Sequence, residues 1–259
     1  MEFIAGQGNR LLPTVYFRIA LALADCQLPI FYSPFFNGSC MTHTVRIDFV
    51  SDVVCPWCVV GLNSLTAALG QLDGEVNADI HFQPFELAPG MDDNGEDLTG
   101  YLMSKYQISS EQVAQTQAAI VARGQEQGFV FDFNSDSRKW NTLNAHRLLH
   151  WAGETSDQQL ALKKALFLAN FTENRNISDH AVLVELATQV GLDGAEAAQV
   201  LASGRYAEEV RELESRWQQQ GISSVPTMIF NNRYAVSGGQ PVETFVDVLR
   251  QLVEKDPAA

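Results

Sequence analysis

The chain has 259 residues, 46% of them hydrophobic and 19% charged, enough apolar material for one large core or two small ones. Its formal net charge of −14 argues against nucleic acid and anionic membranes as partners, because both are bound by an excess of Lys and Arg. Four cysteines, at positions 26, 40, 55 and 58, are too few and too unevenly placed for a disulfide-stapled secreted scaffold.

Residues 1–40 differ from the rest. Leu11 to Ala24 is mostly apolar and ends in Ala22-Leu23-Ala24, which resembles a cleavage site. Pro13 and Arg18 interrupt the run, and Ile19 to Ala24 alone falls short of the roughly 7–15 apolar residues of a signal peptide. No segment reaches the ~18 apolar residues of a spanning helix. Residues 1–40 are therefore expected to be an extension or disordered tail, with Cys26 and Cys40 as incidental thiols. A cytoplasmic location is the expectation, and export is the alternative if this segment is a signal peptide.

Folding is expected to begin near Met41. Val45 to Val50 alternates and then turns fully apolar, as a strand entering a buried sheet does. Leu62, Leu65, Leu69 and Leu72 then recur at spacings of three and four, the mark of an amphipathic helix. Between them stands Cys55-Pro56-Trp57-Cys58. Proline suits the first helical position, so Pro56 places Cys55 at the cap and Cys58 one turn inside. Unpaired N–H groups and the helix dipole favour a thiolate at the cap. Cys55 is expected to be the exposed nucleophile and Cys58 the shielded resolving thiol of a reversible disulfide.

A zinc knuckle is the competing reading of Cys-Pro-x-Cys. Val59 and Val60 stand where a knuckle needs glycine, Gly61 comes too late, and no second close pair of cysteines follows. His146 and His150, one turn apart, could complete a Cys2His2 set but read better as packing or capping residues. No metal and no cofactor other than the redox-active disulfide are expected. Asp52, three residues before Cys55, could accept a proton or raise the thiol pKa, yet a surface-loop position is the preferred reading.

Ile80 to Phe85 is a short strand stopped by Pro84. Helical spacing then dominates through Val113 to Val121, Leu143 to Trp151, Leu160 to Phe171, Val182 to Val190 and Ala195 to Leu201. Asn141 and Thr142 are placed to cap the helix carrying His146, and Ser178 or Asp179 the one beginning near His180. Val225 to Phe230 reads as a strand, Asn231-Asn232 as a hairpin turn and Tyr234 to Ser237 as its partner. A last helix buries Phe245, Val248, Leu249 and Leu252. From the residues alone, Pro226 is an ordinary strand-start proline.

This order of elements resembles the DsbA-like branch of the thioredoxin superfamily, and within it the FrnE-type oxidoreductases, over about residues 44–254. The resemblance rests on Asp48 to Cys58, Phe85-Glu86-Leu87-Ala88-Pro89-Gly90, Asn141 to His150, Val225-Pro226-Thr227 and Tyr234 to Gly238. It implies an α/β, thioredoxin-like fold with a large all-helical insertion domain. The thioredoxin-like part would comprise residues 41–90 and 205–259, and the insertion residues 91–204, lying over the dithiol. It also implies thiol–disulfide exchange with protein or small-thiol substrates, glutathione being a possible co-substrate. Cys55 and Cys58 would be catalytic, with Pro56, Trp57 and Pro226 supporting them. Val225, Pro226 and Trp57 would contact substrate, and the Val225–Pro226 bond would be cis, with the proline against the Cys55 sulfur. By the same likeness, the segment around Asn141 and Thr142 would line the cleft opposite Cys55. The periplasmic DsbA proteins usually carry histidine where Trp57 stands, so a less oxidising couple is expected here. Kappa-class glutathione transferases and hydroxychromene-carboxylate isomerases share the layout but typically replace the first cysteine with serine; glutathione-dependent isomerisation or transfer is the alternative activity. Nothing in the sequence bears on oligomeric state.

Overall fold

A strand that is apolar on both faces has to lie inside a sheet, and β1 (His43–Ser51), buried from Ile47 onward, does so. In this computed structural model, which describes residues 43–255, β1 runs parallel to β2 (Val76–Pro84), with Ile47 opposite Ile80 and Phe49 opposite Phe82. The expectations for residues 1–40, including Cys26, Cys40 and the location that depends on them, fall outside the described residues. The connection between the two strands is α1 (Pro56–Gln71), which buries Leu62, Leu65 and Ala68 on its inner face.

From the end of β2 the chain leaves the sheet for more than a hundred residues. It forms β3 (Glu96–Asp97), α2 (Leu98–Tyr106), α3 (Ser110–Glu126), β4 (Arg138–Lys139), α4 (Leu143–Thr155), α5 (Gln159–Phe171), α6 (His180–Gln189), α7 (Gly194–Ser203) and α8 (Ala207–Gln219). Pairing of β3 with β4 is the one departure from an all-helical stretch among the described residues. The helices have a core of their own, with Leu148, Leu162, Leu166, Leu183 and Val200 fully buried. Ser109 and Gln112 close a capping box on α3, and Asp179 caps α6 by accepting from Ala181 and Val182 N–H.

The sheet resumes with β5 (Thr227–Phe230) and β6 (Tyr234–Ser237), and α9 (Val242–Lys255) ends the described chain. Strand order is β2-β1-β5-β6, with β5 antiparallel to β1. Asn231 and Asn232 both take positive φ in the turn, a conformation asparagine tolerates better than most residues. α9 buries Phe245, Val246, Leu249 and Leu252; of the expected face, Val248 is only half buried and packs against the core edge. Phe49 meets Phe82 edge to face at 5.5 Å, at the centre of the sheet core.

The two cores meet at the loop between β1 and α1. Val53 and Val54 belong to the helical core, whereas Cys55 and Cys58 belong to the sheet core. The dithiol therefore sits on the seam. Gly61 brings the second turn of α1 against the segment after α8: a Cβ there would stand 3.2 Å from Pro226 Cγ and 3.0 Å from Met228 Cε.

Candidate active site

Cys55 is the N-cap of α1 and Pro56 occupies the first turn, as the Cys-Pro spacing requires. Cys58 N–H donates to Cys55 O at 3.0 Å. The expectation that Cys55 is exposed is corrected: only 4% of its surface is accessible, because it packs in the core cluster with its thiol turned toward the Val225 carbonyl, at 3.7 Å. Both cysteines carry free thiols. Their environments push them apart. The Cys58 thiol hydrogen-bonds to the Cys55 sulfur and holds its pKa down, overcoming burial and the nearby Asp52 charge. Burial, and then the hydrogen bond that it must give up to ionise, push Cys58 well above the usual thiol value.

Asp52 is not a surface-loop residue. It is fully buried, and a charge can be kept there only by partners. Its carboxylate accepts from Leu87 N–H at 2.8 Å and from His146 Nε2 at 3.3 Å. Burial opposes its ionisation, but His146, the Lys139 ammonium and Leu87 N–H together hold its pKa far below the usual carboxylate range. Burial in turn lowers the pKa of His146, so this neutral imidazole carries its proton on Nε2, facing an acceptor-only carboxylate. Lys139, from the short strand β4, is 4% exposed and faces Asp52, Cys55 and Cys58. The helical segment thus supplies both a hydrogen-bond donor and a cation behind the dithiol.

Pro226 is buried, Val225 half-buried, and the peptide bond between them is cis. Pro56 and Trp57 are half-buried. Trp57 lies over Gly239, whose missing Cβ would stand 3.2 Å from the indole Cε3. Asn141 caps α4 by accepting from Leu143 N–H and donating to Met91 O, whereas Thr142 makes no side-chain cap bond. His150 is 3.3 Å from Glu154 on the same helix, away from the thiols' hydrogen bonds. Among the described residues, no cluster of His, Cys, Asp or Glu has the makings of a metal site.

Beyond Asp52 lie two further buried acids. Glu214 Oε1 accepts from Glu86 N–H at 2.7 Å, while Glu86 Oε2 has no hydrogen-bond partner among the described residues. Burial, and then the Asp52 charge, raise Glu86 to about 7; burial, and then the Glu86 charge, raise Glu214 to about 8. Unfolded, both ionise near 4.5; folded, they keep their protons, so the native state binds more protons between those values. Stability should therefore fall as pH rises from about 5 to about 8. Glu214→Gln keeps the acceptor for Glu86 N–H and removes one acid. Its melting curve series should lie close to wild type at pH 5 and several degrees higher at pH 8.5, at about 2–4 °C per kcal/mol for a domain of this size. Parallel pH profiles for the two proteins would show that the pair does not titrate as argued.

Comparison with known proteins follows the same lines. Residues 46–250 match the DSBA-like thioredoxin domain family. Uncharacterized protein YwbO of Bacillus subtilis (strain 168) is 30% identical over 194 residues, spanning 73% of this chain and 88% of its own. The crystal structure of probable DsbA oxidoreductase SCO1869 from Streptomyces coelicolor is 34% identical and superposes with a TM-score of 0.75, over 82% of this chain and 91% of that one. Cytosolic disulfide reductase DsbM from Pseudomonas aeruginosa, 18% identical, superposes with a TM-score of 0.55 over 81% of this chain and 99% of its own, a likeness of fold alone. Among the described residues, no helix is long and apolar enough to cross a membrane.

Proposed function

We propose, since this chain belongs to the DSBA-like thioredoxin domain family, that it is a thiol–disulfide oxidoreductase working through Cys55 and Cys58. The observation that carries the reading is the split between the two thiols: one pushed toward the thiolate at a helix cap, the other held protonated one turn inside.

In the reducing direction, Cys55 thiolate attacks a substrate disulfide, forming the Cys55–substrate bond as the substrate S–S bond breaks and one substrate thiolate leaves. Cys58 then loses its proton and attacks Cys55 Sγ. The Cys55–Cys58 bond forms, the second substrate thiolate leaves, and both departing sulfurs take up protons, so a dithiol is oxidised as one disulfide is reduced. The oxidising direction is the reverse. Substrates are disulfide- or thiol-bearing proteins or small thiols, glutathione included. An extended peptide would pair its backbone beside Val225 and Pro226 and rest on Trp57, while Pro226, which has no N–H, leaves no donor of its own to satisfy. With tryptophan rather than a cation between the cysteines, the couple is less oxidising than that of the histidine-bearing periplasmic enzymes. A location in the cytoplasm suits a dithiol of this kind.

Cys58→Ala tests the reading, because removing the resolving thiol strands the first intermediate. Incubation with oxidised glutathione or a disulfide-bearing peptide should leave one stable adduct, located by mass spectrometry on Cys55, where wild type shows none. No adduct on Cys58→Ala, together with stoichiometric zinc on the two thiols of the wild-type protein, would end the proposal; glutathione conjugation that persists in Cys58→Ala would replace it with the isomerase or transferase activity.

A further inference from the structure

Resolution of a mixed disulfide needs a Cys58 thiolate in a site that disfavours it. Cys58 is fully buried and its neighbour Cys55 is by then consumed in the mixed disulfide, which leaves a hydrogen bond from the Asp52 backbone as the neutral support for its anion. A counter-charge must come from elsewhere in the core.

Lys163, on α5, is that charge in the right place. It has no accessible surface, and its Nζ has no hydrogen-bond partner among the described residues. Buried ammonium groups left unpaired are disfavoured, and they persist where another interaction requires them. Two aromatic rings pack near it, with Phe167 at 5.1 Å and Phe82 at 5.7 Å from Nζ to ring centroid. Both rings belong to the same core cluster as Cys55 and Cys58. Of the groups that act on Lys163 electrostatically, Cys58 is foremost, followed by Asp52 and Cys55. Lys139 also faces the dithiol, but Asp52 acts on it ahead of either thiol, and His146 is hydrogen-bonded to Asp52.

We propose that the Lys163 ammonium is the standing counter-charge for the Cys58 thiolate, so that it governs resolution of the mixed disulfide and not the first attack by Cys55. Lys163 is a positioning residue for charge: it keeps its proton throughout, the Cys58 proton passes to solvent, and the departing substrate thiolate takes one back. Burial lowers the Lys163 pKa to about 8, so the ammonium prevails at neutral pH and gives way to the amine above it. The inference rests on the proposed exchange activity.

Lys163→Met keeps the length of the side chain and removes the charge. In stopped-flow reaction with a disulfide peptide, resolution should slow 10- to 100-fold at pH 7 while alkylation of Cys55 changes less than threefold. Independently of activity, the thiolate absorbance of Cys58 in the Cys55→Ser background should titrate at least one pH unit higher when Lys163→Met is added. Should Lys163→Met fail to fold, Lys163→Gln serves for the same two readouts. Unchanged resolution and an unchanged Cys58 titration in a protein that still exchanges disulfides would overturn the inference. No exchange by wild type would instead overturn the functional reading beneath it.

Discussion

Cys55→Ser should reduce insulin-reduction activity to the uncatalysed background, a loss of about three powers of ten or more, as expected when an essential nucleophile is removed. Serine is close to cysteine in size and suits a helix N-cap, so the fold and Tm should be retained. What disappears is the thiol of the pair whose surroundings favour the thiolate. Cys58→Ser should behave differently. Cys55 should still react with iodoacetamide, because the serine hydroxyl is itself a hydrogen-bond donor beside its sulfur, and each molecule should stop after one attack. Retention of a tenth or more of wild-type turnover by Cys55→Ser would show that the chemistry lies elsewhere.

Asp52→Asn should be the most damaging substitution outside the dithiol. Removing the carboxylate leaves Lys139 and Lys163 without the anion that both of them face, and an uncompensated buried charge costs about 3–5 kcal/mol. The Tm should fall by roughly 10 °C. Because the folded Asp52 pKa lies far below its unfolded value, this stabilisation is complete above the ordinary carboxylate range and is lost as pH falls through and below it, so the gap between mutant and wild type should narrow below about pH 4. The thiol should respond in the opposite sense: with the like charge gone, Cys55 should ionise at lower pH, seen as more thiolate absorbance in the surviving folded protein. A variant that loses stability without any change in Cys55 titration would place Asp52 in the architecture alone.

The strands of the four-stranded sheet, α1, the hairpin and α9 were legible because each is signalled by neighbours a few residues away: alternation in β1, Leu spacing in α1, two asparagines in the turn. The same local logic misplaced Asp52, whose partners Leu87 and His146 lie 35 and 94 residues further on and leave no periodic mark. It also misplaced the Cys55 thiol, since burial there is imposed by packing in a core whose other members lie far along the chain. Lys139 sits on a strand two residues long, too short to carry any pattern. Lys163 did have a signal. It precedes Phe167 by one helical turn and falls on the broad apolar face of α5, and a lone cation on such a face is worth a question.

The pairing of β1 with β5 has a consequence for synthesis of the chain. β1 finds β2 almost at once, but its other edge stays open until Thr227–Phe230 is made, and so does the side of Cys55 that Val225 closes from 170 residues away. At ~5–20 residues per second on the ribosome, that interval lasts roughly ten to thirty seconds. For that time each new molecule carries an unpaired strand edge beside a dithiol without its cover, able to template a foreign strand or meet an oxidant. The moment of greatest chemical exposure for these two sulfurs comes before the protein exists as an enzyme.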